Sequence, residues 1–256
     1  VSDNHIVIER PVSAGGAVQV ITLNRPDKKN AITRPMYAAM TQALRDGDGD
    51  DGVRVHVFLG QPGAFSAGND MQDFMAYAMG GELGKEVLEF LNTLATVRKP
   101  IISGVDGLAI GIGTTLHLHC DLTFATSRSE FRTPFVDLAL VPEAASSLIA
   151  PPVMGHQRAF ALLAAGYGFS ARQAQEAGII FALVDEDALE DAVMQAAEAL
   201  AAKPPQALAI ARDLIRSREY RQDVLRRIDE EAQLFARQLR SAEAKAAFDA
   251  FMARKR

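Results

Sequence analysis

The chain has 256 residues, of which 48% are hydrophobic and 23% charged, with a net charge of -5 and one cysteine, Cys120. This is ample material for a globular core, while the acidic balance argues against nucleic acid or an anionic membrane as a partner. A lone cysteine excludes an intrachain disulfide and points to a reducing, cytoplasmic compartment, with Cys120 read as a buried apolar residue.

No apolar run approaches the ~18 residues of a membrane span, and Val1-Ser2-Asp3-Asn4-His5 has no basic region before an apolar core, so no signal peptide is expected in that stretch. Residues 18–24 are rich in β-branched side chains and read as a strand, broken by Arg25-Pro26-Asp27-Lys28-Lys29-Asn30. From Pro35 the positions Met36, Met40, Ala43 and Leu44 recur at helical spacing, with Thr33 as the cap. An acidic, glycine-rich turn is expected over 46–52, a strand over 53–59 and a long turn of small residues over 60–70. Residues 71–85 read as a mobile segment, and 86–96 as a helix through Val87, Leu88, Leu91 and Leu94.

The stretch 99–147 carries the chemistry. A short apolar strand closed by Gly104 and Gly107 leads into Leu108-Ala109-Ile110-Gly111-Ile112-Gly113-Thr114-Thr115-Leu116, a glycine-spaced turn entering an apolar segment. Glycines let a backbone approach a ligand closely, and a helix start points unpaired N–H groups forward. The stretch ends at Pro142-Glu143-Ala144-Ala145-Ser146-Ser147, where one carboxylate sits among small residues that disfavour its charge. Together these suggest a site that stabilises an oxyanion and moves a proton beside it. The plainer alternatives are tight packing at the glycines and a helix-start carboxylate at Glu143.

Beyond this lie a short strand over 122–125 and short helices over 161–165 and 171–178. Strand–turn–helix units recurring along the chain imply a layered α/β architecture. The character changes near Asp187: helices are expected over 188–202, 206–218 and 223–240, the last with Val224, Ile228, Ala232, Phe235 and Leu239 on one stripe. We divide the chain into 1–186, the layered part, and 187–256, a helical part that either folds over a neighbouring subunit or completes the parent core.

The chain resembles the crotonase (enoyl-CoA hydratase/isomerase) superfamily over nearly its whole length. The matching stretches are Leu23-Asn24-Arg25-Pro26-Asp27-Lys28-Lys29-Asn30-Ala31, Ala64-Phe65-Ser66-Ala67-Gly68-Asn69-Asp70-Met71, the run from Lys99-Pro100 to Cys120-Asp121, and Ala247-Phe248-Asp249-Ala250-Phe251. The resemblance implies a spiral of ββα units, a coenzyme A thioester site, and a helical C-terminal region that builds homotrimers, often paired into hexamers. No separate cofactor is implied, because coenzyme A enters as part of the substrate. The family's oxyanion hole is two backbone N–H groups, which the resemblance places on Ala67 and Ile112, and two such fixed donors stabilise the enolate of a thioester.

Hydratases of this family use two glutamates, and the resemblance places Thr115 and Phe135 at those positions. Neither transfers a proton as a carboxylate does, so hydration by the usual route is not expected. Glu143 matches the acidic group of Δ3,Δ2-enoyl-CoA isomerases of the peroxisomal type. A double-bond shift needs one base, which takes a proton from C2 and returns it at C4. The implied substrate-binding residues are Lys28 and Lys29 toward the coenzyme A phosphates, Ala64, Phe65, Ala67, Gly68, Asn69, Asp70 and Met71 in the first turn, Gly111 and Gly113 in the second, and Phe135.

Several of these residues keep a second reading. Lys28 and Lys29 also fit a solvated loop. Met71, Phe74, Met75, Phe135 and Leu138 line either an acyl pocket or the core. Asp70 is read as structural, and Asp137 as a surface residue that is the weaker acid candidate. His117 and His119 diverge by about 200° on a helix, which disfavours a metal site. The same oxyanion hole serves decarboxylation, dehalogenation and thioester hydrolysis in this family, and a non-catalytic acyl-CoA-binding protein is the remaining alternative. RNA binding is disfavoured by the absence of a basic stripe.

Overall fold

The computed structural model describes residues 4–73 and 84–253. Phe74 and Met75, and most of the segment expected over 71–85, lie outside the described residues. In chain order the strands are β1 (Ile6–Glu9), β2 (Val18–Leu23), β3 (Val55–Leu59), β4 (Ala64–Ser66), β5 (Ile101–Val105), β6 (Leu108–Ile110), β7 (Leu122–Thr126), β8 (Glu130–Arg132), β9 (Phe169–Ser170) and β10 (Ala182–Val184). The helices used below are α1 (Arg34–Gly49), α2 (Lys85–Thr96), α3 (Ile112–Thr115), α4 (Ser146–Met154), α5 (His156–Leu163), α6 (Ala171–Glu176), α7 (Leu189–Ala201), α8 (Pro205–Ile215), α9 (Arg218–Leu239) and α10 (Ala242–Ala253).

Two sheets result. The larger has the order β1-β2-β3-β5-β7-β10, and the smaller β4-β6-β8-β9. Each of the pairs β3/β4, β5/β6 and β7/β8 gives one strand to each sheet before the chain turns back through helix. This is the expected spiral of ββα units. Pairing within the larger sheet is parallel from β2 to β10, so the connections all leave from the same ends of the strands and gather the turns there.

Both faces of the sheet's central strands β2, β3, β5 and β7 are covered, and nearly all of their side chains are buried. Along β2, Val18 and Val20 face one core and Ile21 and Leu23 the other. The first core is closed by α7, whose Leu189, Val193 and Ala197 fall at four-residue spacing against Val55, Val57, Ile102 and Phe124. Helix α7 lies beyond residue 187, so the helical part begins by completing the parent core. Helix α9 does the same through Val224, Ile228, Phe235 and Leu239, which join the larger core. Among the described residues, no helix is long and apolar enough to cross a membrane.

Some local expectations change. Helix α1 runs through Gly47 to Gly49, where a turn was expected. Gly47 faces the sheet, and a Cβ there would collide with the Gln19 carboxamide and lie 2.6 Å from His56 Cε1. Its glycine serves packing, and the acidic neighbour Asp48 accepts from the Arg98 and Lys99 N–H groups at 3.0 and 3.1 Å. Thr33 stands at the N-cap of α1 but its side chain makes no capping bond.

Candidate active site

The first turn is built by Asn30. It sits in the left-handed region at φ 54°, a conformation asparagine tolerates. Its amide donates to the Ala64 and Phe65 carbonyls at 2.9 and 3.1 Å, and its Oδ1 accepts from the Arg25 N–H at 2.7 Å. The loop 25–30 is thereby clipped to β4. Ile32 continues the clip as an isolated parallel bridge to Asn69: its N–H donates to the Gly68 carbonyl at 2.8 Å and its carbonyl accepts from Asp70 N–H at 2.9 Å. In that geometry the Asn69 N–H is turned to the opposite side, away from Ile32. The Asn69 side chain is held in turn, its Oδ1 accepting from the buried Tyr37 hydroxyl at 2.6 Å.

The second turn follows β6. Gly111, at φ 57°, opens α3. The Thr114 and Thr115 N–H groups return to the Gly111 carbonyl at 2.8 and 3.0 Å, while Ile112 and Gly113 occupy the first turn, whose N–H groups have no acceptor within a helix. The two turns press together. A Cβ at Gly68 would lie 2.8 Å from the Ile110 carbonyl oxygen, and one at Gly113 2.8 Å from that of Ser66. Only glycine permits this approach.

Glu143 completes the group. It is 7% exposed, and its Oε1 accepts from the Thr115 hydroxyl at 2.5 Å. Thr115 lies one helical turn after Ile112, so the hydroxyl that holds Glu143 belongs to the same short helix as the Ile112 N–H. Burial pushes the Glu143 carboxyl up to about 8; the Thr115 bond opposes this and the charge of Glu231 adds to it. Tyr37, which holds Asn69, is raised well above its ordinary value by burial and then by the charge of Glu143. Chemically, such a group of backbone donors beside a buried carboxyl can hold a developing negative charge and exchange a proton with its bearer.

Over residues 13–256 the chain matches the enoyl-CoA hydratase/isomerase family. It belongs to that family. It is 38% identical over 213 residues to Enoyl-CoA delta isomerase 2 of Rattus norvegicus, covering 81% of this chain and 54% of that longer protein. Identity to 1,2-epoxyphenylacetyl-CoA isomerase of Escherichia coli K12 is 35% over 208 residues, 79% of each chain. Among solved structures, an enoyl-CoA hydratase/isomerase from Pseudoalteromonas atlantica superposes with a TM-score of 0.90 at 35% identity, covering 98% of this chain and 97% of that one. This chain thus spans about half the length of the rat relative.

For a member of this family, the structure revises several expected site residues. The Ala67 N–H donates to the Lys29 carbonyl at 2.8 Å, so it is engaged within the fold. The outward N–H of the turn is that of Asn69. Phe65 is fully buried, with its ring centroid 4.7 Å from that of His117, and Phe135 is buried in the same core. Both are core side chains. Ala64 is buried, and Met71 is half-buried against the core. Lys28 and Lys29 are exposed on the loop that Asn30 clips to the first turn.

Asp70 is tied into the first turn by Arg25 and the Gln72 N–H. Burial alone would raise it, but the Arg25 guanidinium at 2.6 Å and the Gln72 N–H hold its carboxyl below the ordinary range. Asp137 pairs with Arg132 at 3.0 Å on the surface. Burial pushes the Cys120 thiol up to about 12. His117 Nδ1 shares a hydrogen bond with Ser103 Oγ at 2.9 Å, and His119 Nε2 meets the Ala144 carbonyl at 2.7 Å, so the two rings serve different partners.

Glu143 also differs from a helix-start residue, because α4 begins only at Ser146. The residue that sequence reading missed is Glu231. It stands in the apolar stripe of α9, buried, where Ala232 was expected. An acid three residues after Ile228 and four before Phe235 was the available signal.

Proposed function

We propose that the chain is an acyl-CoA isomerase that moves a 3-enoyl double bond to the 2-enoyl position, with Glu143 as its single base. The observation that carries this reading is the Thr115–Glu143 hydrogen bond. Where a hydratase holds a carboxylate, this chain holds a hydroxyl, and that hydroxyl serves Glu143. The second hydratase position, Phe135, is core. One buried carboxyl matches a reaction that takes a proton from C2 and returns it at C4. The backbone N–H groups of Asn69 and Ile112 are the donors for the dienolate oxygen. Lys28 and Lys29 face the coenzyme A phosphates as point charges, and the relatives named isomerases support the assignment.

The test is a panel of 3-enoyl-CoA and 2-enoyl-CoA thioesters analysed for product. Conversion of the 3-enoyl to the 2-enoyl thioester is expected, with hydration of crotonyl-CoA slower by roughly 10²-fold or more for want of a paired acid and base. Hydration at a rate comparable with isomerisation would overturn the reading.

The helical C-terminal part assembles three chains. On α8, Ile210, Leu214 and Ile215 are 53%, 78% and 82% exposed, an apolar face that association would cover. Light scattering at micromolar concentration is expected to give three times the 27.6 kDa of one chain, or a pair of such trimers. A monomer under those conditions would contradict it.

A further inference from the structure

The loop that carries Glu143 is held in an unusual shape. Ala144 and Ala145 are consecutive left-handed residues at φ 60° and 54°, a conformation that is strained for any residue with a Cβ. Such a pair persists only where its surroundings over-determine it. Two contacts do so here. The Ala144 carbonyl can only accept, so His119 Nε2 donates to it at 2.7 Å. The other contact is Glu231, 4% exposed on α9. Its Oε2 accepts from the Ala145 N–H at 2.6 Å, and its Oε1 from the Ser147 N–H at 3.1 Å and the Ser147 hydroxyl at 2.5 Å.

Every bond at Glu231 is thus donated to it, and both its oxygens are acceptors. That is the pattern of an ionised carboxylate. It occupies the place of an N-cap for α4, supplied from a different helix, because the N-cap residue Ala145 has no side chain to do so. Arg227, one turn earlier on α9, donates to the Ser147 hydroxyl at 2.9 Å and supports the same cluster.

We propose that Glu231 is a positioning residue for the base: from α9 it fixes the left-handed turn 144–145 and so aims the Glu143 carboxyl at Thr115 and the substrate. The proposal rests on Glu143 being the base. Two effects follow from the geometry. Releasing the turn lets the carboxyl leave its aim, and displacements of about 1 Å can cost a reaction 10²-fold. Removing the Glu231 charge also relieves the ionised form of Glu143. Among the described residues, the titratable and charged groups packed around Glu143 and its loop are Tyr37 on α1, with Asp73 beyond it, His119 on the Ala144 carbonyl, and Glu231 with Arg227 on α9. Among the described residues, Glu231 is the acid whose charge opposes ionisation of Glu143.

Glutamine cannot replace Glu231, since its amide nitrogen would face a donor and leave one N–H without an acceptor. In the full chain, Glu231→Gln is expected to lower kcat on a 3-enoyl-CoA by roughly 10- to 100-fold with little change in KM. The acid limb of its kcat/KM–pH profile should move to lower pH, because the base loses its proton more easily. A merely structural role would lower the yield of folded enzyme and leave the limb in place, and that result would overturn the proposal. Glu143→Gln is assayed beside it. If Glu143→Gln keeps the parental rate, the base assignment fails and this one with it. If Glu143→Gln is inactive while Glu231→Gln keeps the parental kcat and limb, the positioning role alone fails. Should Glu231→Gln not fold, Ser147→Ala removes one donor and keeps the charge. It should then lower kcat by roughly three- to tenfold with the limb unmoved, and a parental kcat would overturn the proposal.

Discussion

Glu143→Gln is expected to lower isomerisation of a 3-enoyl-CoA by roughly 10²–10⁴-fold, the usual worth of a positioned acid–base group. Binding of the thioester should change little. The glutamine keeps the shape of the side chain, and its Oε1 can still accept from the Thr115 hydroxyl, so the bond at 2.5 Å need not be lost. What is lost is the ability to take a proton. A folded variant that binds the thioester and turns it over at the parental rate would remove Glu143 as the base, and Asp137 would be the next acid to test.

The same substitution should stabilise the protein at alkaline pH. Burial raises the folded-state value of Glu143 from an ordinary 4.5 to about 8. Its raised affinity for a proton favours the fold fully below the ordinary value, and the contribution is lost as pH rises through about 8. Glutamine has no charge to bury. Glu143→Gln should therefore melt with the parent near pH 4.5 and several degrees above it near pH 9. The stability cost builds between about pH 4.5 and 8, as the unfolded chain ionises at this position and the fold does not, and on the proposed reading a strong base is what this cost accompanies.

The layered α/β architecture was legible because each unit repeats the same local chemistry, while the spiral of ββα units came from the family resemblance. An apolar strand ends at glycine, and a helix starts where the backbone must approach something. The strands of the smaller sheet were not legible. β4, β6 and β8 are three residues each, too short to show alternation, and turns flank them. Glycine was ambiguous in the same way: Gly47 serves packing inside a helix, whereas Gly68 and Gly113 serve close approach. Glu143 stood out because its neighbours are small. Glu231 was hidden by its neighbours, since an acid within a mostly polar helix attracts no notice until the loop it caps is seen. The expected donor Ala67 N–H is instead engaged with the Lys29 carbonyl. Strand direction decides which N–H faces outward, and the bridge to Ile32 fixes that only in three dimensions.

Gly68→Ala is expected to lower kcat by roughly 10²-fold, the cost of displacing one oxyanion donor. Gly68 has φ +87°, where a side chain is strained, and its added Cβ would lie 2.8 Å from the Ile110 carbonyl oxygen. That oxygen is backbone and sits one residue before the start of the second turn, so it cannot swing aside as a side chain would. The Ile32 bridge holds the opposite edge of residues 68–70 at 2.8 and 2.9 Å. The turn must therefore tilt or shift between the two, and the Asn69 N–H moves with it relative to Ile112. Backbone strain alone is separated by Gly63→Ala. Gly63 has φ +85° and nothing within 4 Å of its Cβ, so the same conformational penalty falls there without the collision. The Gly63→Ala enzyme should lose a little stability and keep kcat within about twofold. Steady-state kinetics on a 3-enoyl-CoA, with folding of both variants followed by circular dichroism, checks this. A folded Gly68→Ala enzyme with the parental kcat would show that the Gly68–Asn69 turn does not hold the reacting carbonyl.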